Sequence, residues 1–382
     1  MEYAHGGDIY TYKGMLDFSV NVNPLGPSER VVDAAKRGVE RAAEYPDSRC
    51  GKLREALAEK KGIPAERFIA GNGAADLFFS LVLAERPRKA VIPVPAFSEY
   101  GQALRTVDCS VREYFLKKEN NFCMTEDFLS ELTPETDITF LCSPSNPAGQ
   151  VIPGELLRKI ADRCEACGIR LVVDECFIDF LTEPAEHTVE RMTERYPCLF
   201  VVQAFTKIHA VPGLRLGYGI TSDTELIERM QQVRQPWSVS IPAQEAGIAA
   251  LGDEERVRAA RELTYRERTR MEKGLRECGV EVVPSQANFI LMHSPYDLFT
   301  HLKDRGILIR DCSNYSGLGK GWYRTAVRRK EENDCLLEAV RQICLEEGGD
   351  PAKRQEAAGA EDREAREKQE KRQEEVQWQD RS

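Results

Sequence analysis

The residue with the most chemical potential in this sequence is Lys207. It lies in VVQAFTKIHAVPGLRLGY, residues 201–218, where an apolar run ends in Thr206-Lys207 and Arg215 follows between two glycines. A lysine at the carboxyl end of a core strand is placed where desolvation and nearby cations lower its pKa and make it an amine nucleophile. Alone, such a lysine would simply extend its charge to the surface. Four further patterns accompany it. LVVDE ends a second apolar run in Asp174, and Gly71-Asn72-Gly73-Ala74-Ala75-Asp76 opens a helix after a third. Pro95-Ala96-Phe97 places an aromatic ring on a loop, and Asn146 sits in the turn-rich SPSNPAG. Singly, each is only a turn or a strand end. Together, in this order, they are the set that pyridoxal 5′-phosphate requires. Lys207 would carry the cofactor as a Schiff base, and Asp174 would keep the pyridine nitrogen protonated so that the ring accepts electrons. The N–H groups around Gly73, Ala74 and Ala75 would cradle the phosphate at a helix N-terminus. Phe97 would stack on the ring, and Asn146 would donate to the ring oxygen.

These residues need elements that bring them to one place. Short apolar runs (RFIAG, KAVIPV, ITFLCS, IRLVVDE, CLFVVQAF, LRLGYGIT) alternate with longer amphipathic stretches such as PGELLRKIADRCEACG. That alternation predicts an α/β fold, its mostly parallel sheet covered by helices on both faces, with ligands at the carboxyl ends of the strands. The large domain is expected over 31–279, preceded by an extended arm over 1–30. A small α+β domain follows over 280–347, mixing strand-like VEVVPS, NFILMH, ILIRDC and YRTAVR with helical patterns. Residues 348–382 form a charged tail with almost no apolar side chains. It cannot bury enough surface to offset ordering entropy, so it is expected to be disordered or a frayed helix.

Composition narrows the class. The chain has 382 residues, a net charge of −10 and 42% hydrophobic residues, which suits a globular enzyme with a sizeable core. An acidic balance argues against nucleic-acid or membrane-surface binding, both of which need clustered positive charge. No early segment reads as a signal peptide and no apolar run approaches a membrane span, so a cytoplasmic location is expected. The twelve cysteines are scattered and read as free thiols. Cys164 and Cys167 form a CxxC without a second pair at ligand spacing, so no metal site is expected.

On these motifs, residues 1 to about 345 resemble the fold-type I pyridoxal-phosphate enzymes, in the histidinol-phosphate aminotransferase branch. The resemblance implies a homodimer with its active sites at the subunit interface. Tyr45, in a Tyr-Pro-Asp turn, would then reach the neighbouring subunit's cofactor phosphate, while Thr206 and Arg215 hold the phosphate of their own subunit.

Within that branch three stretches resemble the L-threonine-O-3-phosphate decarboxylases of cobalamin biosynthesis. They are His5-Gly6-Gly7 followed by LDFSVNVNPLG, the Asp174-Glu175-Cys176-Phe177 run with phenylalanine where many aminotransferases carry tyrosine, and QPWSVS with the later ILIRDCSNYSGL and WYRTAVR. The resemblance implies decarboxylation of L-threonine O-3-phosphate to (R)-1-amino-2-propanol O-2-phosphate for the cobalamin nucleotide loop. By it, Arg324 would hold the substrate carboxylate and Arg310 the phosphate, with His5, Gly6, Asn21 and Asn146 completing the substrate site. Arginine's planar fork suits both anions. Arg328 is left open between a surface role and support behind the site. Two alternatives share the cofactor residues: a histidinol-phosphate-type aminotransferase and an O-phosphoserine decarboxylase, whose substrate differs by one methyl group. The same bound amino acid can lose CO2 or its Cα proton, and the choice is one of positioning. Asp8 stands where the similar enzymes often have Asn, and Ser145 and Ala148 replace Asn and Thr of the usual loop. An added charge at Asp8 near a phosphate bears on substrate identity.

Overall fold

The structure is a computed structural model that describes residues 5–348. The charged tail beyond them lies outside the described residues. Two helices follow the arm. Glu29–Glu40 is capped by the Ser28 side chain, which accepts from the Val31 N–H, and Gly51–Lys61 ends at Gly62 in the left-handed conformation.

Seven strands then build one sheet, ordered Phe68–Gly71, Gly217–Ile220, Leu199–Ala204, Arg170–Asp174, Ile138–Cys142, Lys89–Val94 and Ser110–Phe115. Gly217–Ile220 runs antiparallel to both of its neighbours, and the remaining pairings are parallel. Helices cover both faces, which is why the central strands read as unbroken apolar runs. Their side chains still alternate. Leu171, Val173 and Val201 enter one core cluster, while Val172, Phe200 and Val202 enter the other. Ser110–Phe115 was not among the apolar runs. It is an edge strand with largely exposed side chains, so it lacks the uniform hydrophobicity that marked the others.

A second sheet of four antiparallel strands is ordered Arg310–Asp311, Trp322–Ala326, Phe289–His293 and Glu281–Val282. Its core includes Met271 and Leu275 of the long helix Glu254–Glu277, Leu298 and Leu302 of Leu298–Asp304, and Leu336 and Val340 of Lys330–Gly348. The arm joins this unit. Leu16–Asp17 pairs in parallel with Ile307–Leu308, and the fully buried Phe18 enters the same core.

Candidate active site

Five strands of the large sheet point their carboxyl ends at one region. Arg170–Asp174 delivers Asp174, Leu199–Ala204 leads into Thr206 and Lys207, and Ile138–Cys142 leads to Asn146. Lys89–Val94 leads to Phe97, and Phe68–Gly71 to the start of the helix Ala74–Glu85. A cavity of about 260 Å³ opens there, lined by Ala74, Ala75, Phe97, Asn146, Asp174, Thr206, Lys207 and Arg215. From the arm and the small sheet it receives His5, Gly6, Asn21, Arg310 and Arg324. Of the fifteen expected site residues the fold brings these thirteen together, and Gly73 stands at the start of the adjoining helix. Tyr45, the remaining one, does not line the cavity: it is 78% exposed and packs on Trp237 with ring centroids 4.6 Å apart.

Lys207 is drawn below its usual pKa, mainly by burial and further by the Arg324 and Arg215 charges, with Cys176 and Asp174 opposing. Its Nζ lies 5.7 Å from the centre of the Phe177 ring. Burial raises the Asp174 carboxyl above the ordinary range, opposed by two hydrogen bonds. Cys176 N–H donates to its Oδ1 at 2.9 Å, and Tyr100 O–H to its Oδ2 at 2.6 Å. Tyr100 is itself held protonated by burial and by the adjacent Asp174, so it stays a donor.

The helix Ala74–Glu85 begins without a side-chain cap, leaving its first N–H groups to an external acceptor. Gly73 has φ +81°, and a Cβ there would meet the Arg215 guanidinium, so this arginine stands directly over the helix start. Asp76 braces the turn: its Oδ2 accepts from the Asn72 N–H at 2.9 Å and pairs with Arg234 Nη2 at 2.8 Å. Arg234 also donates to the Ala70 carbonyl at 2.6 Å. Helix amides, Thr206 and Arg215 together make a cup for a dianion.

Arg310 and Arg324 are direct cross-strand partners in the small sheet, so both side chains project from one face. Both are buried. Arg310 donates to Asn314 Oδ1 at 2.9 Å and to the Asp311 carbonyl, and its guanidinium lies 5.4 Å from the Tyr315 ring centre. Arg324 donates to Asn146 Oδ1 and to the Ser19 carbonyl, the latter at 2.9 Å. In the amide orientation that satisfies both groups, Asn21 accepts from Arg324 Nε at 3.3 Å. Among the described residues neither arginine pairs with a carboxylate. Two like charges placed opposite one another and out of water cost stability, so the pair is built for anions brought from outside. A cavity of similar size behind the Phe205–Ile208 turn contrasts with it: Lys60 and Lys61, which line it, already pair with Glu254 and Glu190.

Tyr100, Glu99, Ser19, Cys176 and Tyr315 join the site without having been singled out. Tyr100 had a readable signal, since three residues on from Phe97 places both on one face of the helix Ser98–Arg105. Arg328, left open earlier, ties the arm down: it donates to the Asp17 carbonyl at 2.8 Å and pairs with Glu332 at 2.6 Å. Asp8 does not line the cavity. It is exposed, and its carboxylate accepts from the Thr11 N–H at 3.0 Å.

The residues present fit pyridoxal 5′-phosphate: an uncapped helix start beneath an arginine, a buried carboxylate, and a lysine of lowered pKa share one cavity. Comparison with known proteins agrees. Residues 13–340 match the family model Aminotransferase class I and II. A threonine-phosphate decarboxylase of Salmonella typhimurium is 38% identical over 89% of this chain and 96% of its own. Histidinol-phosphate aminotransferase 2 of Archaeoglobus fulgidus is 33% identical over 87% of this chain and 94% of its own. The crystal structure of the histidinol-phosphate aminotransferase from Clostridium acetobutylicum superposes with a TM-score of 0.81 at 27% identity, covering 87% of this chain and all of that one.

Proposed function

The chain belongs to the aminotransferase class I and II family, and from that premise we propose that it decarboxylates L-threonine O-3-phosphate to (R)-1-amino-2-propanol O-2-phosphate, as a step in assembling the cobalamin nucleotide loop. Its cofactor is pyridoxal 5′-phosphate, which when bound supplies an electron sink for the pair released at the substrate Cα. The set described above would hold it, with Phe97 stacking on its ring and Asp174 meeting its pyridine nitrogen.

The chain's own residues divide the remaining work. Arg324 holds the substrate carboxylate, with its guanidinium fixed by Asn146, Asn21 and the Ser19 carbonyl. Arg310 holds the phosphate, joined by His5 and the Gly6 N–H of the arm. With both ends fixed, the substrate cannot rotate about its long axis, and that decides which bond at Cα is oriented for cleavage. Lys207 has its amine freed by a lowered pKa, so it can act as nucleophile and later return a proton to Cα. Phe177, in place of a hydrogen-bonding tyrosine, leaves Asn146 as the donor on that side of the cofactor.

The observation that carries this reading is the buried, carboxylate-free arginine pair Arg310 and Arg324 facing a cavity that the arm also lines. It suits a substrate with an anion at each end. The decisive experiment is CO2 release by the cofactor-loaded protein from L-threonine O-3-phosphate, with unphosphorylated threonine as control. Release from the phosphorylated compound alone supports the reading. No CO2, but amino transfer from histidinol phosphate to 2-oxoglutarate, would replace it with the aminotransferase.

The protein is also inferred to be a cytoplasmic homodimer. The exposed Tyr45–Trp237 stack supports a partner surface, since large exposed aromatics mark such contacts. All twelve cysteines are free thiols, which suits a reducing compartment. No helix among the described residues is long and apolar enough to cross a membrane.

A further inference from the structure

The outer end of the arm, residues 5–7, is seated from two sides. On the small-sheet side, the Gly7 N–H donates to Ser19 Oγ at 2.7 Å. A Cβ on Gly6 would overlap the Ser19 carbonyl oxygen, the same oxygen that accepts from Arg324. On the large-domain side stands Glu99, in the first turn of the helix Ser98–Arg105. Its Oε1 lies 3.7 Å from His5 Nε2, and the Glu99 side chain is 16% exposed against 50% for the imidazole. Its Oε2 accepts from the Ser98 hydroxyl at 2.8 Å, which fixes the carboxylate.

A carboxylate in this place needs an explanation. Glu99 lines a cavity that also holds Lys207, Arg215, Arg310 and Arg324. Left to itself, its charge would oppose an incoming anion. Its charge is engaged if it faces a donor that the protein must hold in place, and the His5 imidazole stands there. The pair also bridges the cavity mouth, because His5 belongs to the arm and Glu99 to the large domain.

We propose that Glu99 is a positioning residue that docks His5 across the mouth of the cavity and so closes the arm over the Arg310 end. Phosphate binding by the arm is thereby tied to carboxylate binding at Arg324, through the Ser19 backbone that both touch. The inference rests on the phosphorylated amino-acid reading above.

The test is Glu99→Ala in the full, cofactor-loaded chain, read in two ways. Lys13 is exposed in the arm, so tryptic loss of residues 1–13, followed by mass spectrometry, reports arm docking without reference to activity. That loss should quicken about fivefold, the upper end for a partly exposed side-chain pair. KM for L-threonine O-3-phosphate should rise by a similar factor, with kcat falling far less. Glu99→Gln should recover part of both, and adding Glu99→Ala to His5→Ala should change nothing more. Unaltered cleavage, faster cleavage with unaltered KM, or additive effects of the two substitutions would each overturn the proposal. If the unmodified protein does not act on the substrate at all, the functional reading falls, and the cleavage rates alone decide whether Glu99 docks the arm.

Discussion

Arg310 is held by uncharged acceptors, the Asn314 amide oxygen and the Asp311 carbonyl, and by the face of Tyr315. Its charge is therefore oriented but not neutralised. Arg310→Ala should weaken phosphorylated substrates by roughly 10- to 100-fold, the size of lost hydrogen bonds to a charged group, and unphosphorylated analogues far less. Comparing kcat/KM for the two classes checks this, and equal losses would show that Arg310 does not read the phosphate. Tyr100 makes a different kind of contribution. It donates to a carboxylate that burial already pushes toward protonation. In Tyr100→Phe the Asp174 carboxyl should rise further and support the cofactor ring less well. Cofactor affinity and kcat should each fall by about tenfold, corresponding to a lost bond of about 1–2 kcal/mol. Titration of the cofactor's visible absorbance and a steady-state assay measure the two, and unchanged values would remove Tyr100 from the site.

At the scale of elements, the helix start at Gly73 and the strand end at Asp174 carry the design. Gly73 needs its left-handed φ of +81°, and a side chain there would displace Arg215. Gly73→Ala should lower cofactor affinity by at least about tenfold, since backbone strain alone costs about 1–3 kcal/mol; equilibrium dialysis of the cofactor tests it. The strand Arg170–Asp174 points Asp174 into the cavity, while the next residue, Glu175, is buried on the other side. There it accepts from Thr188 Oγ1 at 2.6 Å, the Val189 N–H at 2.7 Å and Gln203 at 2.8 Å. Burial lifts its pKa from the usual 4.5 to about 7 against those bonds. Between these two values the folded chain binds more protons than the unfolded one, so this group's contribution to stability falls as pH rises through the window. Glu175→Gln does not titrate. Its stability relative to the unmodified chain should therefore improve by about 2–3 kcal/mol from near pH 5 to near pH 8. Denaturant unfolding at the two pH values measures it, and a flat difference would contradict a raised Glu175.

For the whole molecule, Tyr45 is the informative residue, because it is exposed in its own chain and lines no part of that chain's cavity. If two chains share their sites, then a dimer of one Lys207→Ala chain and one Tyr45→Ala chain contains one site with both residues intact. Mixing the two weakly active or inactive variants under conditions of subunit exchange should restore up to about half of the activity per mixed dimer, and no recovery would place Tyr45 outside the partner's site. The apolar runs that ended in Asp174 and Thr206-Lys207, and the glycine turn before Ala74, were legible because a doubly covered sheet demands continuous hydrophobicity and then a sharp change at each carboxyl end. Those local demands let the sequence by itself determine the α/β class and the cofactor, and they single out Lys207 as the residue proposed to hold it. The edge strand Ser110–Phe115 escaped notice because one exposed edge makes no such demand. Tyr100 against Asp174, the cross-strand placement of Arg310 opposite Arg324, and Glu99 against His5 join residues 74, 14 and 94 positions apart. Contacts of that kind arise from sheet register and domain packing, which no single stretch of chain encodes, and only the tertiary structure decided them.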